Sequence, residues 1–136
     1  MARPMTNIID HNEPFVPHAI IVEDEESLST IFRKAINMAG YSVEVFSNGQ
    51  EALNRLEDFT PNLLLLDLHL PQVRGDEIID TIRDNPAFDD TRIILATADA
   101  RLGSQIESKA DLVLIKPIRF STLKRLAARL KPLTLR

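Results

Sequence analysis

The chain has 136 residues, of which 44% are hydrophobic and 26% charged, and it contains no cysteine. That length suits one domain around a single core, and the absence of thiols excludes disulfides, cysteine-ligated zinc and thiol chemistry. The formal net charge of −4 hides a division: all 20 acidic residues precede Lys116, and the seven basic residues from Lys116 to Arg136 have no acid among them.

Residues 1–17, MARPMTNIIDHNEPFVP, hold three prolines and no sustained period, so they read as a flexible N-terminal extension. They lack the basic-then-apolar layout of a signal peptide, and no apolar run in the chain approaches the roughly 18 residues of a membrane span. A cytoplasmic location with no membrane partner is the expectation. One domain is expected over residues 18–131, followed by a short tail, 132–136. Within it, AIIV (19–22) reads as a first strand, nearly all apolar as a strand covered on both faces should be. EESLSTIFRKAINMAG then places Leu28, Ile31, Phe32, Ala35, Ile36 and Met38 near one helical face, with Gly40 as a C-terminal cap. VEVF (43–46) alternates with a charge and suits an edge strand. SNGQEALNRLEDF opens with Ser47 and Gln50 at capping-box spacing. Leu63 to Leu66 form a third strand, and GDEIIDTIRDNP is a helix that ends before Pro86. IILA (93–96) is a fourth strand, RLGSQIESKA a short, weakly apolar helix, and LVLI (112–115) a fifth strand. STLKRLAARL closes the domain as a helix capped by Ser121, with Leu123, Leu126, Ala127 and Leu130 on its inner side.

Five strand–helix repeats predict an α/β fold, a doubly wound five-stranded parallel sheet with helices on both faces. Ligands of such folds sit beyond the carboxyl ends of the strands. Those positions hold Glu23 and Asp24 after the first strand, Asp67 after the third, Thr97 after the fourth, and Lys116 with Pro117 after the fifth. Three acids converging on one crevice repel one another, and a hard divalent cation such as Mg²⁺ relieves that through oxygen ligands. Lys116 adds a compact positive charge and Thr97 a hydroxyl donor. Each residue alone has an ordinary reading as a turn, cap or loop residue. Their recurrence at the strand ends of one sheet points instead to a site for a phosphoryl group.

IIVEDEE, LLLLDLHLPQVRG, IILATADA and LVLIKPI, in that order, resemble the motifs of the response-regulator receiver domain, the phosphoacceptor half of bacterial two-component systems. The resemblance runs from about His18 to Leu130. It implies a flavodoxin-like, receiver-type fold and a phosphorelay signalling role rather than an enzymatic one. By the same resemblance Asp67 is the phosphoacceptor, and Glu23, Asp24, Asp67 and the backbone carbonyl of His69 hold Mg²⁺. Thr97 matches the switch hydroxyl and Lys116 the lysine that contacts the phosphoryl oxygens, while Pro117 matches a proline usually preceded by a cis bond. The implied partners are a sensor histidine kinase or phosphotransfer protein and an unidentified downstream protein. A second copy of the chain is also open. Direct nucleic-acid binding is not expected, because the basic last helix comes without a recognition motif.

Three features depart from the family. Val113 stands where Tyr or Phe is usual, only 18 residues separate Thr97 from Lys116, and Arg74 occupies a loop position where an acid or amide is common. The first two leave open a pseudo-receiver, a module that binds proteins without phosphorylation. A Mg²⁺-dependent phosphohydrolase is a weaker alternative, because His69 stands where such enzymes of the haloacid-dehalogenase type want a second Asp. His69 and Asp99, each two residues beyond a site residue, are expected to flank the mouth of the site and set the lifetime of its phosphoryl group.

Overall fold

Strands that are apolar at every position need cover on two faces. The computed structural model, which describes residues 15–133, supplies that cover with helices on both sides of one parallel sheet. The elements are β1 (His18–Val22), α1 (Glu26–Met38), β2 (Ser42–Phe46), α2 (Gly49–Asp58), β3 (Leu63–Asp67), α3 (Gly75–Arg83), β4 (Arg92–Thr97), α4 (Ala100–Ile106), β5 (Leu112–Ile115) and α5 (Phe120–Arg129). Short 3-10 turns at Pro86–Phe88 and Glu107–Lys109 lead into β4 and β5. The extension expected over residues 1–17 lies almost wholly outside the described residues, as does the end of the expected tail.

The strand order is β2-β1-β3-β4-β5, every pair parallel, so β2 is the edge strand that its alternation predicted. The chain leaves β1 on one side to build β2 and returns to the other side to build β3. The connections after β1 and β3 therefore diverge, which opens a crevice at the carboxyl ends of these strands. Side chains alternate between two cores. Ile20, Val22, Leu64, Leu66, Ile93 and Leu95 face α2, α3 and the end of α4, where Ala52, Leu56, Ile78, Ile79, Ile82 and Ile106 meet them. Ala19, Ile21, Leu63, Leu65, Ile94 and Ala96 face α1 and α5 through Phe32, Ala35, Ile36, Leu123 and Ala127.

Helix boundaries differ from the sequence expectation where caps decide them. α2 is capped by Asn48, whose side chain accepts from Glu51 N at 2.9 Å, rather than by a Ser47–Gln50 box. Asn48 is as good an acceptor as Ser, so a one-residue shift costs the helix nothing. α5 begins at Phe120, one residue before Ser121, and its N-cap Arg119 makes no side-chain cap bond. Packing of Leu123 and Ala127 against the sheet holds that helix instead. On α1 the buried face is narrower than its apolar stripe, because Ile31 and Met38 remain 44% and 53% exposed. Gly40 does end the segment in the left-handed region, at φ 110°.

Tyr41 ties the two ends of this layer together. Its buried hydroxyl donates to the carbonyl of Ala127 on α5 at 2.8 Å. Burial pushes its phenol up to about 12, only partly offset by the charge of Arg92. Since the unfolded phenol ionises near 10, the folded state holds its proton longer. Its contribution to stability is complete below about pH 10 and is lost as pH rises through about 12. Tyr41 is the sole tyrosine and tryptophan is absent, so the phenolate absorbance reports this one group. An ultraviolet titration of the native protein should show it ionising near 12 or on alkaline unfolding. A midpoint near 10 would contradict the buried bond.

Candidate functional site

The site grows from the point where β3 stops. Leu63 to Leu66 anchor the strand in both cores, so the carboxylate of Asp67, itself 4% exposed, is carried to the crevice on a fixed backbone. The strand ends in a turn whose backbone orients the acid: His69 N donates to Asp67 Oδ1 at 3.1 Å. From β5, Lys116 reaches across with Nζ 2.9 Å from Glu23 Oε1 and 3.5 Å from Asp67 Oδ2. Its own N–H donates to the carbonyl of Thr97 at 2.8 Å, which locks the ends of β4 and β5 together. The peptide bond between Lys116 and Pro117 is cis. Glu23 follows β1 and is 2% exposed; its Oε2 accepts from Glu25 N at 3.2 Å. Thr97 is fully buried and its Oγ1 accepts from Asp99 N at 3.0 Å.

Glu23, Asp24 and Asp67 each place a carboxylate oxygen within 4.8 Å of the others. Three anionic oxygens at that spacing repel strongly unless a cation lies among them. With no nitrogen or sulfur donor in the set, they fit a hard divalent ion better than zinc. Burial holds the Glu23 carboxyl above its usual range, and the charge of Asp67 adds to this, against the opposing pull of Lys116. For Lys116 burial acts to lower the ammonium, but the bond to Glu23 and the charges of Asp67 and Glu23 prevail and hold it above its usual value. The lysine therefore stays charged beside the acids it bridges.

Every residue that the sequence put at the strand ends thus lies at one end of the sheet. The two residues expected to flank the mouth are both exposed. His69 is exposed at the rim, in an open recess lined by Asp24, Leu68, Leu70, Pro71 and Arg74. Asp99 is exposed at the start of α4, where its Oδ1 accepts from Arg101 N and Leu102 N as the cap of that helix. Arg74 pairs with Asp76 at 3.1 Å and points to the surface. Sequence reasoning missed the chemical part of Gly75. A methyl group there would lie 2.7 Å from Leu68 Cα and closer still to the carbonyl of Asp67. The glycine that opens α3 is what allows the turn after the acid to pass, and its signal was the Gly of LLLLDLHLPQVRG.

Comparison with known proteins gives a consistent picture. The family described as the response regulator receiver domain matches residues 19–128. The phosphate regulon transcriptional regulatory protein PhoB of Rhizobium meliloti is 36% identical over 119 residues, covering 85% of this chain and 51% of that protein. The chain therefore spans about half the length of this curated relative. The signal receiver domain of a putative Luxo repressor protein from Vibrio parahaemolyticus superposes with a TM-score of 0.77 at 29% identity, over 85% of this chain and 90% of that one. The response regulator TrrA of Thermotoga maritima, solved in complex with Mg²⁺ and BeF, superposes with a TM-score of 0.75 at 28% identity, over 85% of this chain and 99% of that one. Among the described residues no helix is long and apolar enough to cross a membrane.

Proposed function

Given that this chain belongs to the response regulator receiver domain family, we propose that Asp67 accepts a phosphoryl group from the phosphohistidine of a sensor kinase or phosphotransfer protein. Mg²⁺ is the ion that Glu23, Asp24 and Asp67 would hold, with the backbone carbonyl of His69 as a further ligand. The observation that carries this reading is the placement of Lys116 Nζ within 3.5 Å of Asp67 beside a three-carboxylate cluster. A purely structural lysine has no need of a second buried acid.

In the transfer a carboxylate oxygen of Asp67 forms a bond to phosphorus. The bond from phosphorus to the histidine nitrogen of the donor breaks, and its electron pair stays on that nitrogen. Such transfer asks mostly for positioning and charge neutralisation. The His69 N–H and Lys116 hold the Asp67 carboxylate in a fixed orientation before the donor arrives. Lys116 supplies a positive charge to the incoming phosphoryl oxygens, and Thr97 supplies a hydroxyl donor. Mg²⁺, when bound, neutralises charge on the acids and the phosphoryl oxygens. The downstream effect is a changed surface recognised by another protein.

Beryllofluoride, a stand-in for the phosphoryl group, tests this directly. With Mg²⁺ it should shift the backbone amide signals of Asp67, Thr97 and Lys116, and chelation of the metal should reverse the shifts. Signals that stay unchanged with both reagents present would overturn the proposal.

A further inference from the structure

The cations of this protein divide by layer. Among the described residues, Arg55, Arg74, Arg83, Arg92 and Lys109 each pair with a carboxylate. None of Arg33, Lys34, Lys124, Arg125, Arg129 and Lys131, which stand on α1, on α5 or just beyond it, has such a partner among those residues. Of the other arginines and lysines described, only Arg101 on α4 and Arg119 at the N-cap of α5 lack one. The chain holds no acid from Ser27 to Ala39 or from Lys116 to Leu133, so this layer gathers like charges with nothing to offset them. The negative end of α5 accounts for Arg129 and Lys131. It does not account for Lys124 and Arg125, which stand in the middle turns. Between the two helices runs a groove of about 430 Å³, lined by the apolar Met38, Ala39, Phe120 and Ala128 and by the basic Lys124 and Arg125. On α5 the lining recurs at Phe120, Lys124 and Ala128, so the groove follows that helix for two turns, about 12 Å. None of the site residues at the strand ends lines it.

We propose that this groove docks an acidic amphipathic helix of a partner protein, its apolar residues seated between α1 and α5 and its carboxylates against Lys124 and Arg125. Docking there does not depend on the role of Asp67. Two turns of groove suit the apolar positions i, i+3 or i+4 and i+7 of a helix, the usual anchors of a helix held in a groove. The unpaired cations set the sign of the partner, because carboxylates relieve the repulsion among them and steer the encounter. Other occupants fit less well. A second copy meeting this face with the same face would bring like charges together. A nucleic-acid backbone would meet the cations and leave the apolar lining bare. A membrane asks for apolar side chains that protrude, whereas Ala39 is buried and Phe120 half-buried in the recess.

The probe is a labelled synthetic helix with Leu at i, i+4 and i+7 and Glu on both flanks, added to the full chain. It should bind with amide shifts concentrated at Met38, Ala39, Lys124, Arg125 and Ala128. The same peptide with Ser in place of Leu should bind more weakly by about tenfold or more, since each buried Leu is worth well over one factor of ten. Added salt should weaken binding to the wild type. Reversing both Lys124→Glu and Arg125→Glu should weaken it about tenfold, as two exposed attractions become repulsions. Arg101→Glu, which reverses the unpaired cation on α4, should leave it unchanged. Equal affinity for the Ser peptide, shifts that map away from the groove, or indifference to salt overturns the proposal, and these three readouts need no variant. Undiminished binding by a double reversal whose circular dichroism matches the wild type overturns it as well. Tighter binding to phosphatidylglycerol vesicles or to a DNA duplex, lost in the double reversal, would overturn it in favour of a membrane or a nucleic acid. Salt-sensitive dimerisation in sedimentation that the double reversal abolishes would overturn it in favour of a second copy.

Discussion

Asp67→Asn is expected to take up no phosphoryl group from acetyl phosphate at any Mg²⁺ concentration, while remaining fully folded. The amide oxygen is a poor nucleophile and carries no charge to share with a metal. The loss should therefore be complete rather than graded, since no other acid combines a buried position with contact to Lys116 apart from Glu23, whose Oε1 and Oε2 already accept from Lys116 and Glu25. Stability should hold or rise. The substitution removes one charge from a group of three carboxylates whose oxygens lie within 4.8 Å, and Lys116 keeps its 2.9 Å partner Glu23. Intact-protein mass after incubation with acetyl phosphate, paired with a denaturation curve, checks both halves. Undiminished phosphoryl uptake by Asp67→Asn would remove Asp67 from its role.

Gly75→Ala should damage fold and site together, although the change is a single methyl group. The added carbon would overlap the carbonyl of Asp67 and approach Leu68 Cα to 2.7 Å. Both are backbone atoms, which cannot rotate aside as a side chain can. Gly75 N also donates to the carbonyl of Leu68 at 3.3 Å, so the two segments cannot part without losing that bond. Overpacking of this kind costs about 1–3 kcal/mol, and the shift falls on the residues that aim the acid. The expected result is a lower denaturation midpoint and a weaker Mg²⁺ response at the Asp67 amide. Gly40→Ala offers the contrast. Its neighbour is the flexible end of Lys131, so the cost comes from φ 110° alone and the Mg²⁺ response should match the wild type. A wild-type midpoint and Mg²⁺ response in Gly75→Ala would show that the turn has slack that its contacts do not suggest.

The parallel sheet, its five strands, the edge position of β2 and the residues that stand at the strand ends are all legible in the order of apolar and polar residues along the chain. Burial dictates those features along each segment separately. A strand covered on both faces is apolar throughout, as at Leu63 to Leu66, and the first polar residue after it marks where cover stops. The family motifs added the order in which these ends are used. How those ends are held depends on contacts between segments far apart in the chain. That Asp99 caps α4 depends on which of its neighbours presents unpaired N–H groups, and spacing along the chain does not show that. That α2 takes Asn48 and not Ser47 as its cap rests on a one-residue choice between two good acceptors. Met38 belongs to the apolar stripe of α1, yet it is 53% exposed because α5 covers only part of that face. Gly75 and Gly103 are the sharpest cases. Each is needed because a distant backbone or side chain passes where a Cβ would sit, and such a meeting of segments has no periodicity to announce it.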